Sequence, residues 1–169
     1  MAMDTQSNLI ARIQDRSLEA YWASYELMNP LSSISDRSTI ATPSDRKINW
    51  HENVTQALNQ AQLEHKPLVV VFQEENCDWC KQFEKELTNP LVSGSVSGDA
   101  VFLKISPSKD KEARTLANYV NVQGYPSAAV LQVDKGKIST VARMSGYMPA
   151  QQFVYLLRAA FAQVPGQII

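Results

Sequence analysis

Apolar residues fall into separate groups along the sequence, and the spacing within each group predicts an element. Over residues 5–28, Leu9, Ile10, Ile13, Ser17, Ala20, Tyr21 and residues 24–28 trace an imperfect helical stripe. Tyr21, Trp22 and Tyr25 make its second half aromatic-rich, and Asn29-Pro30 stops it. Residues 30–47 are rich in Ser, Thr and Pro and poor in large apolar side chains, which is the composition of an extended connection. From Asn49 the order becomes regular. Asn49 with Glu52 predicts a helix cap, and Val54, Ala57, Leu58 and Ala61 form a buried face at helical spacing that His65-Lys66-Pro67 ends.

Leu68–Phe72 is apolar throughout, the pattern of a buried strand. Residues 81–87 read as a helix with Phe83 and Leu87 on one face, followed by a loop with Asn89-Pro90 and a Gly/Ser-rich run at 93–98, long enough to be mobile. A second strand at Val101–Ile105 and a helix near 110–120, with Ala113, Leu116, Ala117 and Val120 on one face, complete a βαβ unit. Such a unit implies parallel strands and a right-handed crossover. After Gly124-Tyr125-Pro126, strands at 128–133 and 138–144 flank a tight turn at Asp134-Lys135-Gly136-Lys137, a β-hairpin. Gly146 breaks the chain and Pro149 opens a last helix with Phe153, Leu156, Leu157, Ala160 and Phe161 on one side.

The expected class is therefore α/β, a βαβ unit plus a ββα unit around a central mixed sheet, with an N-terminal helical extension. Its expected organisation is an amphipathic helix at 1–29, a Ser/Thr/Pro linker at 30–47 and a folded domain at 48–169. An amphipathic helix must bury its apolar face. It either packs back on its own domain or, since a linker separates the two, serves as a homodimerisation or partner-docking element. Its polar face mixes Asp15, Glu19 and Glu26 with Arg12 and Arg16, a poor match to a membrane surface.

Composition narrows the classes further. The 169 residues suffice for one domain with an extension, and 44% hydrophobic with 20% charged residues is a soluble globular balance. A formal net charge of -1 gives no electrostatic reason to expect nucleic acid or an anionic membrane as partner. No apolar run approaches the roughly eighteen residues of a membrane span, so no membrane insertion is expected. Residues 1–6 lack a basic and then an apolar stretch, so no signal peptide is visible, although Met1-Ala2 equally fits a cloning remnant ahead of a mature exported chain.

Chemistry concentrates at Cys77-Asp78-Trp79-Cys80, which holds both cysteines of the chain. Two thiols at this spacing, between a buried strand and a helix N-terminus, can close a small disulfide ring and reopen it. Unpaired N–H groups and the positive end of the helix dipole favour a thiolate over a thiol there. Such sites bring a cysteine pKa from about 8.5 into the range of roughly 3.5–7.5. Cys77, at the lip of the turn, is expected to be the attacking sulfur with a depressed pKa, and Cys80, a turn further in, its resolving partner. Lys81 adds a cation, while Glu74, Glu75 and Asp78 oppose it. A zinc site is disfavoured because there is no second pair of cysteines and His51 and His65 lack ligand spacing. An inert pair of buried cysteines is the plain alternative.

The strand ending at Phe72, the Cys77 to Lys81 helix start, Gly124-Tyr125-Pro126-Ser127 before a strand and Gly146 before the last helix together resemble the thioredoxin superfamily. The resemblance spans about residues 48–162, and the opening at 49–72 is most similar to bacterial thioredoxin-like proteins related to periplasmic disulfide-handling enzymes. It implies a cis peptide between Tyr125 and Pro126 beside the sulfurs, with the preceding backbone free to pair with an extended substrate. It also implies that Tyr125 and Pro126, with Trp79, bind substrate.

The sequence departs from the family at three places. Asp78-Trp79 stands where thioredoxins usually carry Gly-Pro, Asn76 where they carry Trp, and Val71 where they carry a buried acid thought to assist proton transfer from the resolving thiol. A proton acceptor would then come from Glu74, Glu75 or water. Asp78 opposes ionisation of its neighbouring thiol, Lys81 and Glu74 are the other expected tuning groups, and Trp79 shields Cys80 or joins the docking surface.

The activity implied is thiol-disulfide exchange with protein thiols and disulfides, needing no metal or organic cofactor and a redox partner protein. The alternative is a binding or chaperone-like module on the same fold, whose N-terminal helix dimerises or docks a partner. The expected location is the bacterial periplasm, with the cytoplasm as the alternative.

Overall fold

Five strands and five helices lie between residues 46 and 165, the residues described by the structure, a computed structural model. The helix expected over 5–28 and the connection up to residue 45 lie outside them. In chain order the elements are β1 (Trp50–His51), α1 (Val54–Glu64), β2 (Leu68–Phe72), α2 (Asp78–Leu87), α3 (Pro90–Val96), β3 (Val101–Ile105), α4 (Lys111–Val120), β4 (Ser127–Asp134), β5 (Lys137–Ser145) and α5 (Ala150–Phe161). They form one mixed sheet in the order β1-β3-β2-β4-β5. β1 and β2 run parallel to β3, whereas β4 is antiparallel to both β2 and β5. This is the expected βαβ plus ββα arrangement.

β2 sits at the centre because every one of its side chains is apolar and covered. Side chains alternate across a strand, so Val69 and Val71 face one layer and Leu68, Val70 and Phe72 the other. The first layer gathers Phe83 and Leu87 of α2, Val92 and Val96 of α3 and Phe153, Leu157 and Phe161 of α5. The second gathers Val54, Ala57 and Ala61 of α1 with Ala113, Leu116, Ala117 and Val120 of α4. Both layers are needed because neither face of β2 tolerates water. The hairpin turns through Lys135 and Gly136, both at positive φ (51° and 75°), as a tight turn between twisted strands requires.

Two sequence expectations are corrected. Asn49 does not cap the first helix: Trp50 and His51 pair with Phe102 and Leu103 as a short edge strand, and the cap is Asn53, whose side chain accepts from Gln56 N at 2.9 Å. The edge of β3 and the Phe102 ring, 5.4 Å from that of Trp50, outcompete the local cap motif. The loop expected after Pro90 is instead α3, opened by Asn89 accepting from Leu91 N and by Pro90 at its start. Its Gly and Ser residues are weak helix formers, but Val92 and Val96 share one face and are wholly buried, and tertiary packing decides.

Candidate active site

β2 ends at Phe72, and the chain reaches α2 through a turn in which Asn76 takes a left-handed conformation (φ 57°) that asparagine tolerates better than most residues. Cys77 is then the N-cap of α2: its Sγ accepts the N–H of Cys80 at 3.1 Å. Cys77 and Cys80 are joined by a disulfide, with Cα atoms 5.2 Å apart. Cys77 is half-buried, whereas Cys80 is only 5% exposed, on the face of α2 that carries Phe83 and Leu87. The two sulfurs thus differ in access and in hydrogen bonding. A backbone donor and a helix N-terminus beside a sulfur are features that in general favour a thiolate over a thiol.

The second wall comes from the far end of the sequence. The Tyr125–Pro126 peptide is cis, and the Tyr125 carbonyl lies 3.9 Å from Cys77 Sγ. Ser127 Oγ donates to Gly124 O at 2.6 Å, and Gly146 N donates to Pro126 O at 2.8 Å, tying this loop to the end of β5. Gly146 has φ +84°, a conformation that side chains rarely adopt. Trp79, Tyr125, Pro126, Gly146 and Tyr147 line a cleft of about 350 Å³ beside the sulfurs. The structure therefore brings Cys77, Cys80, Trp79, Tyr125 and Pro126 to one place.

The charged residues are arranged differently. Asp78 and Lys81 pair with each other at 3.7 Å, with side chains 92% and 72% exposed, so water screens both. Glu74 turns to the connection between β3 and α4, where Oε1 accepts from Ser108 N at 2.9 Å and Oε2 from Ser106 Oγ at 3.0 Å and from Ser108 Oγ. Glu75 pairs with Lys109 on the same connection. On the side of the sheet that α2 covers, Val71 pairs in register with Lys104, whose Nζ lies over the Trp50 ring and reaches Glu84 Oε1 at 2.5 Å.

Partial burial pushes the Glu74 carboxyl up, but the hydrogen bonds from Ser108 and Ser106 and the nearby Lys109 outweigh it and hold the group below its ordinary 4.5. The folded protein therefore releases this proton more readily than the unfolded chain does. The contribution to stability is complete above pH 4.5 and is lost as the pH falls through the depressed value. Glu74→Gln is expected to flatten the acid side of a plot of unfolding midpoint against pH, leaving the part due to Glu64 and Glu86, which are also held low. An unchanged profile would mean that the Ser106 and Ser108 bonds do not distinguish the two states.

Sequence reasoning missed Tyr147 and Glu86. The Tyr147 ring lies 5.7 Å from that of Trp79, and its hydroxyl donates to Glu86 Oε1 at 2.8 Å. No periodicity marks either residue, and only their nearness to Gly146 and to the helix face of Cys80 could have drawn notice. Among the described residues there is no group of three or more His, Cys, Asp or Glu that could hold a metal ion, and no helix long and apolar enough to cross a membrane.

A family model described as a thioredoxin-like domain matches residues 54–161. No curated protein matches the sequence significantly. Among solved structures, a thioredoxin from Thermus thermophilus is similar at 27% identity and TM-score 0.62, over 70% of this chain and 90% of that one. A DsbH oxidoreductase matches at 16% identity and TM-score 0.59, over 74% and 92% of the two chains. The oxidised C-terminal domain of DsbD from Neisseria meningitidis matches at 23% and 0.54, over 66% and 99%. The last two likenesses concern the fold.

Proposed function

The chain belongs to the family of thioredoxin-like domains, and we propose that in this thiol-disulfide oxidoreductase Cys77 is the exchanging sulfur and Cys80 the resolving one. The observation that carries the assignment is the asymmetry of the pair: Cys77 is accessible and accepts the Cys80 N–H, whereas Cys80 is buried. In the reducing direction, the Cys77 thiolate attacks one sulfur of a substrate disulfide. A Cys77–substrate bond forms as the substrate S–S bond breaks, and the released thiolate takes a proton from solvent. Cys80 then loses its proton and attacks Cys77 Sγ, expelling the second substrate thiolate. The substrate leaves as a dithiol and the protein as the Cys77–Cys80 disulfide, two electrons having passed between them.

Run backwards, the same steps oxidise a dithiol, and a redox partner protein restores the starting state. Direction follows from the relative stability of the protein's two redox forms, about 30 mV corresponding to 1.4 kcal/mol. Glu74 and Glu75 are engaged by residues 106–109, which supports solvent at the mouth of the site as the proton acceptor. The substrates are protein thiols and disulfides, read across the cleft of Trp79, Tyr125 and Pro126. The bacterial periplasm is the proposed location, on the resemblance to disulfide-handling proteins and on the chain having no cysteine beyond the pair. The aromatic-rich stripe at 5–28 supports a docking or self-association role for that segment.

The test is covalent trapping. Cys80→Ser retains the attacking sulfur but cannot resolve the intermediate, so it should accumulate mixed disulfides with a disulfide-bonded protein such as insulin, visible on a non-reducing gel and released by dithiothreitol. Cys77→Ser should accumulate none. Equal trapping by both variants would overturn the assignment of roles, and no trapping by either would leave a binding module on this fold.

A further inference from the structure

Trp79 follows Cys77 by two residues, and its indole is 58% exposed. A large ring at a helix start with so little cover would sample several rotamers unless something held it. Tyr147 does so, its ring tilted by 42° against the indole. Tyr147 is itself fixed, because its hydroxyl donates to Glu86 Oε1, while Glu86 Oε2 accepts from Ala150 N at 2.9 Å. Ala150 opens α5, whose N-cap Pro149 offers no side-chain acceptor. Glu86 supplies that acceptor from α2, and a carboxylate is favoured at a helix N-terminus. One side chain thereby joins the redox helix, the α5 N-terminus and the ring that braces Trp79.

We infer that Glu86 and Tyr147 are positioning residues that hold Trp79, so that the cleft beside Cys77 seats one large apolar side chain, aromatic by preference, next to the cysteine being exchanged in an extended protein substrate. The inference rests on the oxidoreductase reading above. The cleft offers more ring surface than hydrogen bonds: the Tyr147 hydroxyl is committed to Glu86 and the Gly146 N–H to Pro126 O. What remains is chiefly the faces and edges of Trp79, Tyr125 and Tyr147 and the Pro126 ring, with the Trp79 indole N–H and the Tyr125 hydroxyl as polar groups on those rings. Such surfaces favour a second aromatic ring in offset or edge-on contact. At about 350 Å³ the cleft has room for one large side chain. Because the walls are already tied, little ordering is left to be done on binding.

The experiment uses the full chain and two disulfide-bonded peptides that differ only in the residue before the reactive cysteine, Phe in one and Ser in the other. The wild-type protein should favour the Phe peptide through a lower KM. Tyr147→Phe, which keeps the ring and loses only the bond to Glu86, should raise KM for the Phe peptide several-fold with a smaller change in kcat. It should also shift the Trp79 emission, obtained as the difference from a Trp79→Phe control. Tyr147→Ala should remove the preference. Wild-type exchange with equal KM for both peptides, or an undiminished preference in Tyr147→Ala, would overturn the inference while leaving the exchange activity standing. Failure of the wild-type protein to exchange with either peptide or with dithiothreitol would instead overturn the oxidoreductase reading, and this inference with it.

Discussion

Replacing Cys77 by serine is expected to reduce thiol-disulfide exchange to the uncatalysed background while leaving the domain folded. The attacking species is a thiolate, and no other sulfur can take its place, since Cys80 is the chain's only other cysteine and is buried on the inner face of α2. A serine hydroxyl does not ionise near neutral pH, and of the nearby carboxylates Glu74 is held by Ser106 and Ser108, Glu75 by Lys109 and Asp78 by Lys81. The fold should survive for a local reason. Cys77 is the N-cap of α2, and serine is among the preferred residues there, so its oxygen can accept the Cys80 N–H. Losing the disulfide removes a very short loop closure, worth about 2 kcal/mol in the chain-entropy account. The measurements are the rate of insulin reduction by dithiothreitol and the circular dichroism melt of the same sample. Exchange well above background with a native melt would sink the assignment of Cys77.

Phe153→Ala should be among the most damaging of the core truncations. Phe153 is fully buried on α5, meets Phe83 of α2 edge-on with ring centroids 5.3 Å apart, and belongs to the layer containing Val69 and Val71 of β2. Truncating a buried Phe costs about 3–5 kcal/mol through lost transfer energy and the cavity left behind. Against a typical total of about 5–15 kcal/mol this is a large share, and for a domain of this size it lowers Tm by on the order of 10–20 °C. Tyr155→Ala, on the same helix but 72% exposed, is the control and should stay within about 0.5 kcal/mol of the parent. Denaturant unfolding of the three proteins decides the matter. A Phe153→Ala loss below about 1 kcal/mol would mean that α5 repacks into the gap, against the close packing expected of such interiors. Since Phe83 shares α2 with Cys80, the same truncation should also loosen the helix that holds the resolving sulfur.

Most of the framework is legible in the sequence because burial leaves a local record. The all-apolar run of β2, the one-sided stripes of α1, α4 and α5, and the Lys135-Gly136 turn each announce themselves within a few residues. The reactive pair is equally plain, since two cysteines a helical turn apart between a strand and a helix leave few other readings. Even α3 carried a trace of itself in Asn89, Pro90 and the spacing of Val92 and Val96, obscured by the Gly and Ser between them.

What the tertiary structure alone decided is where distant residues meet. Nothing near Trp50 says that it will pair with Phe102. Nothing near Glu74 says that its carboxylate will go to Ser106 and Ser108 rather than to the sulfurs. Tyr147 and Ala150 reach Glu86 across 61 and 64 positions of sequence, and through them Trp79 is held beside Cys77. Periodicity reports which side of an element is dry. It carries no information about which partner a polar side chain finds, because that choice is made only when the sheet has brought the ends of the strands together. The sequence by itself therefore determined the layers and the reactive sulfurs, and the assembled sheet determined the walls around them.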